Sequence, residues 1–347
     1  MSFFTDKWIV GEMKSNELVL LRKSKGNIFL ERLSQNKKGN KEHLTAEVLE
    51  EYDAAILSDK IYVLYQNVEG HLILIVVNGN KKEEIQLTHT GLSEVFNLCL
   101  EIKDKFIHIL YAIRGEGNKY YIKHHFYDGS KWEEFLVDVI SVKKVINQMK
   151  AILMKDRLHL IYYNDDYNIS IKSFNLDNLT WSNSFNLISN SNEKLFLDGI
   201  VVNNNLHLAF CEYVDENLVV KYLRYECQDE NYIKTAEEFI SNEGSPSHPT
   251  VIYYKNDLWI TWLELDKVFS RLSKDMGNSW TQIYMWNETK KIDFIRYKYL
   301  AVEKDENVCL NYSFGSIYPE IRFLGFGSTR SAVEIPVKKK TTMRFRL

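Results

Sequence analysis

Apolar and polar residues alternate along this chain in short runs that return at a nearly constant interval. Each run of four or five residues follows a polar turn and is succeeded by a charged loop and further runs of the same kind. Seven runs begin at Leu18, Ile61, Phe106, Leu158, Leu206, Leu258 and Val308. Successive runs are therefore 43 to 52 residues apart. Alternation with a period of two predicts β-strands that pack on a neighbouring layer.

The interval between the runs predicts the fold class. Repeats of about 40–50 residues with four short strands each are typical of a β-propeller, in which one repeat forms one blade. We therefore expect an all-β, seven-bladed β-propeller of four-stranded antiparallel blades. Six blades are the alternative, because Arg22 breaks the pattern of the first repeat. No linker interrupts the period, so residues 1–347 should form a single domain, with the run 341–347 closing the ring.

Composition and charge exclude several classes of partner. A net charge of −3 argues against nucleic acid, because a general nucleic-acid binder needs a basic face. No apolar run approaches the roughly 18 residues of a membrane span, and residues 1–7 do not resemble a secretory signal. The sequence thus predicts a cytoplasmic monomer without a membrane partner, and a surface or secreted location stays open.

Cysteines and histidines give little indication of redox or metal chemistry. The chain has four cysteines without CxxC spacing, namely Cys99, Cys211, Cys227 and Cys309. Such residues are usually small buried hydrophobes, although a disulfide between Cys211 and Cys227 stays open. His159 and His207 share a position that other repeats fill with Ile or Trp, which indicates packing. We therefore expect neither a metal site nor a cofactor.

One turn carries a known motif. Residues 273–280 read S-K-D-M-G-N-S-W, which resembles the Asp box of the sialidase and BNR-repeat β-propellers. Its position between the third and fourth strands of the sixth repeat agrees with that class. Weaker forms of the motif lie earlier in the chain, at 127–132 and 175–181. The motif residues are Ser273, Asp275, Gly277, Ser279 and Trp280.

The resemblance implies a structural role for this turn. Asp275 can accept hydrogen bonds from nearby N–H groups, Gly277 allows a positive φ, and Trp280 can cover the blade. In the sialidase-like family, whose propellers have six blades, the Asp box lies away from the active site. The family's arginine triad and Arg-Ile-Pro motif are missing from this sequence, so sialidase activity is not expected.

Acidic and aromatic residues follow the second strands of repeats four to six. Carboxylates there could bind sugar hydroxyls while aromatic rings stack on sugar faces, although turn geometry alone also selects Asp and Asn. The candidate binding residues are Tyr163, Asp165, Asp166, Glu212, Trp262 and Glu264.

These residues allow three functions. The leading hypothesis is a non-catalytic binding propeller that recognises a glycan or a partner protein through this loop face. The alternative is a glycoside hydrolase or lyase, in which two of Asp166, Glu212 and Glu264 act as paired carboxylates. A structural or assembly protein that uses the propeller rim is the third hypothesis.

Overall fold

The computed structural model describes residues 8–15, 17–33, 39, 41–144, 146–154, 157–228, 231–301, 307–318 and 320–338. Regular structure in these ranges consists of 29 β-strands and two short 3₁₀ helices, Asn287–Lys290 and Thr329–Ser331. Neither helix is long or apolar enough to span a bilayer. The strands form six sheets, each containing an antiparallel meander of strands consecutive in the chain.

The first three sheets follow one another from the start of the described chain. Blade 1 contains β1 (Trp8–Glu12), β2 (Leu18–Ser24), β3 (Asn27–Leu33) and β4 (Lys41–Thr45). Blade 2 contains β5 (Val48–Leu57), β6 (Lys60–Asn67), β7 (Leu72–Asn78) and β8 (Lys81–Gln86). Blade 3 contains β9 (Val95–Lys103), β10 (Phe106–Arg114), β11 (Lys119–Tyr127) and β12 (Trp132–Ser141).

The next three sheets complete the ring, and in blade 4 the outer strand is split in two. Blade 4 contains β13 (Lys150–Met154), β14 (Arg157–Tyr163), β15 (Ile169–Asn175), β16 (Thr180–Trp181) and β17 (Phe185–Ile188). Blade 5 contains β18 (Lys194–Val202), β19 (Asn205–Val214), β20 (Asn217–Gln228) and β21 (Asn231–Phe239). Blade 6 contains β22 (Ser247–Tyr254), β23 (Asp257–Glu264), β24 (Lys267–Ser273) and β25 (Ile283–Trp286).

The chain is therefore an all-β propeller with six blades, and the prediction of seven is wrong. The run at Val308 does not begin a seventh blade. The remaining strands are β26 (Ile295–Ala301), β27 (Val308–Leu310), β28 (Tyr312–Gly315) and β29 (Ala332–Ile335). β26 lies parallel to β1, β27 pairs with β22, β28 pairs with β26, and β29 pairs with β25.

The physical reason for the difference is that these strands add to sheets that already exist. β27 has three residues and pairs edge to edge with β22, the inner strand of blade 6, so it extends that sheet instead of starting a meander of its own. The C-terminal strands therefore join blades 1 and 6, which are the two ends of the ring. The predicted closing strand 341–347 lies outside the described residues.

Alternating residues of one strand face different neighbouring blades. Val63 and Ile75 of blade 2 belong to the same apolar cluster as Leu21 of blade 1. Leu64, the next residue along β6, instead packs in a cluster with Ile109 of blade 3. Because side chains alternate across a strand, both faces of each sheet are buried between blades.

The two ends of the propeller differ in the turns they carry. At one end, which we call the upper face, each second strand turns into the third and each blade connects to the next. Backbone hydrogen bonds join these segments, from Val48 N to Gly26 O (3.0 Å) and from Val68 N to Glu47 O (2.9 Å). The inner strand of each blade begins at the upper face, and the third-to-fourth strand turns lie at the opposite, lower face.

Candidate functional site

The candidate binding residues lie at the upper ends of three neighbouring blades. Tyr163 ends β14, and Asp165 and Asp166 lie in the turn that follows it in blade 4. Glu212 is near the end of β19 in blade 5, and Trp262 and Glu264 end β23 in blade 6. The structure thus brings all six to one face, but most of their polar atoms are occupied within the protein.

The two aspartates of blade 4 stabilise backbone turns. Asp165 accepts hydrogen bonds from the backbone N–H groups of Tyr167 (2.7 Å) and Asn168 (2.6 Å). Asp166 is buried and accepts from the N–H of Lys143 in the preceding blade connection, at 3.1 Å. Carboxylates that accept neighbouring N–H groups fix turn geometry.

Both aromatic candidates belong to the core. Tyr163 is 2% exposed, and its hydroxyl donates to the carbonyl oxygen of Phe196 at 2.5 Å. Trp262 is 1% exposed and stacks on Phe269 with a centroid distance of 5.9 Å. Its indole N–H points to Glu264 Oε2 at 3.5 Å. Neither ring face is available for stacking on a sugar.

Glu212 is the most enclosed of the carboxylates. Its side chain accepts from Lys221 Nζ at 2.9 Å and from Asn190 Nδ2 at 2.8 Å, and Lys194 Nζ lies 3.8 Å away. Burial lowers the pKa of Lys194 to about 8, against the attraction of Glu212. This buried network joins the connection between blades 4 and 5 to β20, and a substrate could not reach its carboxylate.

The Asp-box residues form a turn with internal hydrogen bonds at the lower face. Asp275 accepts from Ser279 N (2.8 Å), from Ser279 Oγ (2.6 Å) and from Ser273 Oγ (2.8 Å). These hydrogen bonds lower the pKa of Asp275 to about 2. Gly277 has a φ of +89° and donates its N–H to Ser273 Oγ at 2.7 Å. Trp280 packs edge-on against Tyr222 of blade 5, with the ring centroids 5.0 Å apart.

A cavity of about 290 Å³ at the propeller axis was missed by the sequence analysis. Its walls come from the inner strands of blades 1 to 5, near their upper ends, and from β26 and β28. The polar and aromatic residues in its walls include Glu51, Asp53, Asn97, Lys150, Lys298 and Tyr312. The cavity therefore combines carboxyl, amide, ammonium and phenol groups in one enclosed space.

One wall of the cavity is a buried ion pair. Lys298 Nζ of β26 donates to both carboxylate oxygens of Asp53 in β5, at 2.6 and 2.8 Å. Asp53 Oδ2 also accepts from the N–H of Leu100 in β9, at 2.8 Å. Burial acts against the charge of Lys298, but the attraction of Asp53 outweighs it and keeps the pKa of this lysine above its ordinary value.

Glu51 and Lys150, two other ionisable residues of the cavity, have fewer hydrogen-bond and ion-pair partners than Asp53 and Lys298. Glu51 accepts a hydrogen bond from the backbone N–H of Asn97 at 3.2 Å, yet burial, together with the nearby charge of Asp53, raises its pKa to about 7. Lys150 is 8% exposed, and its ammonium makes no hydrogen bond or ion pair with the residues that the structure describes. Its ammonium lies 5.2 Å from the ring centroid of Tyr312.

A sequence signal for the cavity exists in the register of the inner strands. Asp53, Lys150 and Asp198 each pair with the fourth residue of a second-strand run. A charged residue at one recurring position of a buried strand is unusual and indicates a polar channel. The signal emerges only when the inner strands are aligned on this register.

Two exposed tyrosines lie on the upper face beside the connection between blades 4 and 5. Tyr167 is 41% and Tyr213 is 37% exposed. The carbonyl oxygen of Tyr167 accepts from Lys194 Nζ at 2.6 Å, and Tyr213 N donates to Glu193 O at 2.9 Å. Both residues therefore contact the connection between blades 4 and 5 through their backbones.

A second cavity of about 350 Å³ lies between blades 2 and 3 at the lower face. Its rim includes Ser58, Asp104 and Lys105, which are all exposed. We interpret it as a solvated groove between turns.

Metal and disulfide chemistry find no support in the described residues. No group of three or more His, Cys, Asp or Glu side chains in these ranges could hold a metal ion. None of the four cysteines forms a disulfide with another described residue. Cys211 lies opposite Val220 near the start of β20, whereas Cys227 lies near the end of that strand, so the two are too far apart to pair.

No family model and no curated protein match this sequence. Among solved structures it is similar to the fucose-recognising lectin of Aleuria aurantia, a six-bladed β-propeller (14% identity, 80% of this chain and 94% of that chain, TM-score 0.48). It is also similar to a variant of the apocarotenoid oxygenase of Synechocystis (11% identity, 78% and 68%, TM-score 0.48). A third similar structure is the WD40 domain of SCAP from fission yeast (12% identity, 85% of this chain and 78% of that chain, TM-score 0.46). Likenesses at this level concern the fold, and the site has to be interpreted from its own residues.

Proposed function

We propose that this protein is a non-catalytic binding propeller that recognises the end of a glycan in the central cavity, entered from the upper face. The observation that carries the proposal is the cavity itself. Its volume of about 290 Å³ is just below the range of about 300–1,000 Å³ for small-molecule sites, so the proposed occupant is a single sugar unit. The carboxyl group of Glu51 and the amide of Asn97 offer donors and acceptors that sugar hydroxyls need.

The exposed tyrosines extend this proposal to the upper face. A tyrosine ring presents an apolar surface at little cost in conformational entropy, and its hydroxyl can bond a polar neighbour. Tyr167 and Tyr213 are placed to contact sugar units beyond the one in the cavity. In this proposal the six residues predicted from the sequence hold the upper-face turns in position and make few direct contacts with the ligand.

A hydrolase at the predicted residues has less support. Hydrolysis needs two carboxyl groups that are free to act on substrate, as acid and as base or nucleophile. Asp166 is bound to backbone N–H groups, and Glu212 is enclosed by two lysines and an asparagine. Glu51 has the pKa of a general acid, but the nearby Asp53 is neutralised by Lys298.

A glycan array, run beside a panel of fluorogenic glycosides, tests the proposal. We expect binding without turnover, and we expect Glu51→Ala to weaken binding about tenfold or more through the loss of a half-buried hydrogen-bonding group. Glu69→Ala, at an exposed glutamate of the upper face, is the matched control and should bind as the native protein does. Turnover that Glu51→Gln abolishes would favour a glycosidase instead.

The predicted turn residues form a second arm of this experiment. If Asp166→Ala, Glu212→Ala or Trp262→Ala weakens binding while the protein stays folded and Glu51→Ala has no effect, the ligand contacts the turns and the cavity assignment is wrong. A single domain over residues 1–347, kinship with the Asp-box propellers, a monomeric state and a cytoplasmic location remain predictions alongside this proposal.

A further inference from the structure

We infer that the central cavity selects a sugar unit that carries a carboxylate, and that Lys150 is the residue that binds this group. The inference rests on the proposed function, because it specifies the chemistry of the ligand at the same site. It assigns to Lys150 a role in specificity that is separate from the hydrogen bonding of neutral sugar hydroxyls.

The environment of Lys150 favours an anionic ligand. The residue begins β13 and lines the cavity, and its side chain is buried. Its ammonium contacts the ring of Tyr312 and has no counter-ion among the described residues. An ammonium withdrawn from water without an anion is unfavourable, so a carboxylate that enters the cavity would gain a strong, charge-assisted partner.

The other charged groups around the cavity are paired, exposed or neutral, apart from Glu51. Lys298 and Asp53 neutralise each other. Glu50 forms an ion pair with Lys23 at 3.3 Å and is largely exposed. Burial raises the pKa of the Cys99 thiol to about 12, so this group is neutral. Lys150 is thus the lysine of the cavity wall whose charge has no counter-ion among the described residues, and a ligand would meet this charge.

Glu51, which shares the cavity with Lys150, makes the binding of a carboxylate depend on pH. Its neighbours are Glu50 and Asp53 on its own strand, Lys23 of β2, the N–H groups of Asn97 and Leu98 in β9, and Lys150 and Lys298 across the cavity. With a pKa of about 7, Glu51 is protonated below neutral pH and can then donate a hydrogen bond to a carboxylate. Above neutral pH its negative charge would repel that ligand.

The test compares glucuronate with glucose by titration calorimetry on the full chain. We expect the native protein to bind glucuronate about tenfold or more tightly than glucose, and Lys150→Met to abolish this preference. Lys274→Met, at an exposed lysine of the lower face, should keep it. Affinity for glucuronate should fall as the pH rises through 7, and Glu51→Gln should remove that dependence.

Thermal melting separates recognition from a structural role. Without ligand, Lys150→Met should melt no lower than the native protein, because it removes a buried charge that has no counter-ion. Equal affinity for both sugars, unchanged in Lys150→Met, would overturn the inference and leave the proposed function standing. Binding of neither sugar, with a silent glycan array, would overturn both. Binding of a peptide through its free C-terminus, but not of its amide or of glucuronate, would replace the sugar acid with a protein partner and also overturn the inference.

Discussion

Asp275 illustrates how a single carboxylate defines a turn. Three hydrogen bonds from Ser273 and Ser279 converge on it, and Gly277 supplies the positive φ that lets the chain fold around it. These partners lie two to four residues away, so the spacing in the sequence is enough to predict the arrangement. The charge is on the surface, and its effect on stability is therefore moderate.

Replacing Asp275 with Ala should lower the free energy of unfolding by about 1–3 kcal/mol through the lost turn hydrogen bonds. Urea denaturation would measure the loss, with Lys274→Ala, the exposed neighbour, as the control. Ligand affinity should not change, because this turn is at the lower face, opposite to the proposed site. A loss of binding at full stability would contradict the structural role of the motif.

Unlike the role of Asp275, the roles of Glu212 and Lys150 could not be predicted from the sequence around each residue. Glu212 was expected to face a ligand, yet Lys194 and Lys221 come from two other strands and enclose it. Lys150 has no motif around it, and its significance depends on Lys298 being paired with Asp53 almost 250 residues away along the chain. Bonds within a turn can be inferred from spacing, but partners from different strands cannot.

The C-terminal strands are the elements that tie the ring together. β26 adds to blade 1 in parallel with β1, and β27 adds to the inner edge of blade 6. Lys298 of β26 reaches across to Asp53 of blade 2, so one ion pair joins the C-terminal segment to a third blade. The Lys298–Asp53 ion pair therefore links the C-terminal strands to blade 2.

Replacing Lys298 with Met should therefore destabilise the protein by about 3–5 kcal/mol, because it leaves the buried carboxylate of Asp53 unpaired. The double variant Lys298→Met with Asp53→Leu should recover part of this loss. Lys131→Met is a suitable control, since the ion pair of Lys131 with Glu133 is on the surface and should contribute little to stability. Equal, small effects of both lysine substitutions would contradict a connecting role.

The repeat pattern predicted the second strand of each of the six blades well. The second strands of the six blades begin within one residue of the six first predicted runs. The seventh run has the same alternation, but alternation reports burial of one face and not the identity of the partner strand. Whether such a run starts a blade or adds to an existing one depends on pairing far along the chain.

At the scale of the whole molecule, burial between six blades also encloses an unusual number of histidines. Six of the nine are buried, namely His108, His124, His125, His159, His207 and His248. The rings of His108 and His124 stack, with nitrogens 3.0 Å apart. The position shared by His159 and His207 indicates packing from the sequence alone, but the effect on acid stability follows only from the burial of all six histidines.

This burial predicts that the propeller loses stability in mild acid. Burial lowers the pKa of His108, His207 and His248 from 6.5 to about 3, so between these values the unfolded chain binds protons that the folded chain does not. Stability from these groups is complete above pH 6.5 and is lost progressively as the pH falls toward 3, by about 1.4 kcal/mol per pH unit for each histidine.

Glu51 acts in the opposite direction, but it is a single group. Its pKa is raised from 4.5 to about 7, so its contribution is largest below pH 4.5 and is lost as the pH rises to 7. Three histidines outweigh it, and the urea midpoint should therefore fall steadily from pH 6.5 to 4. His207→Gln should reduce that slope by about one proton, because it removes one of the three groups. A midpoint that stays constant over this range would mean that the buried rings accept protons in the folded state, and that the blades open to water without unfolding.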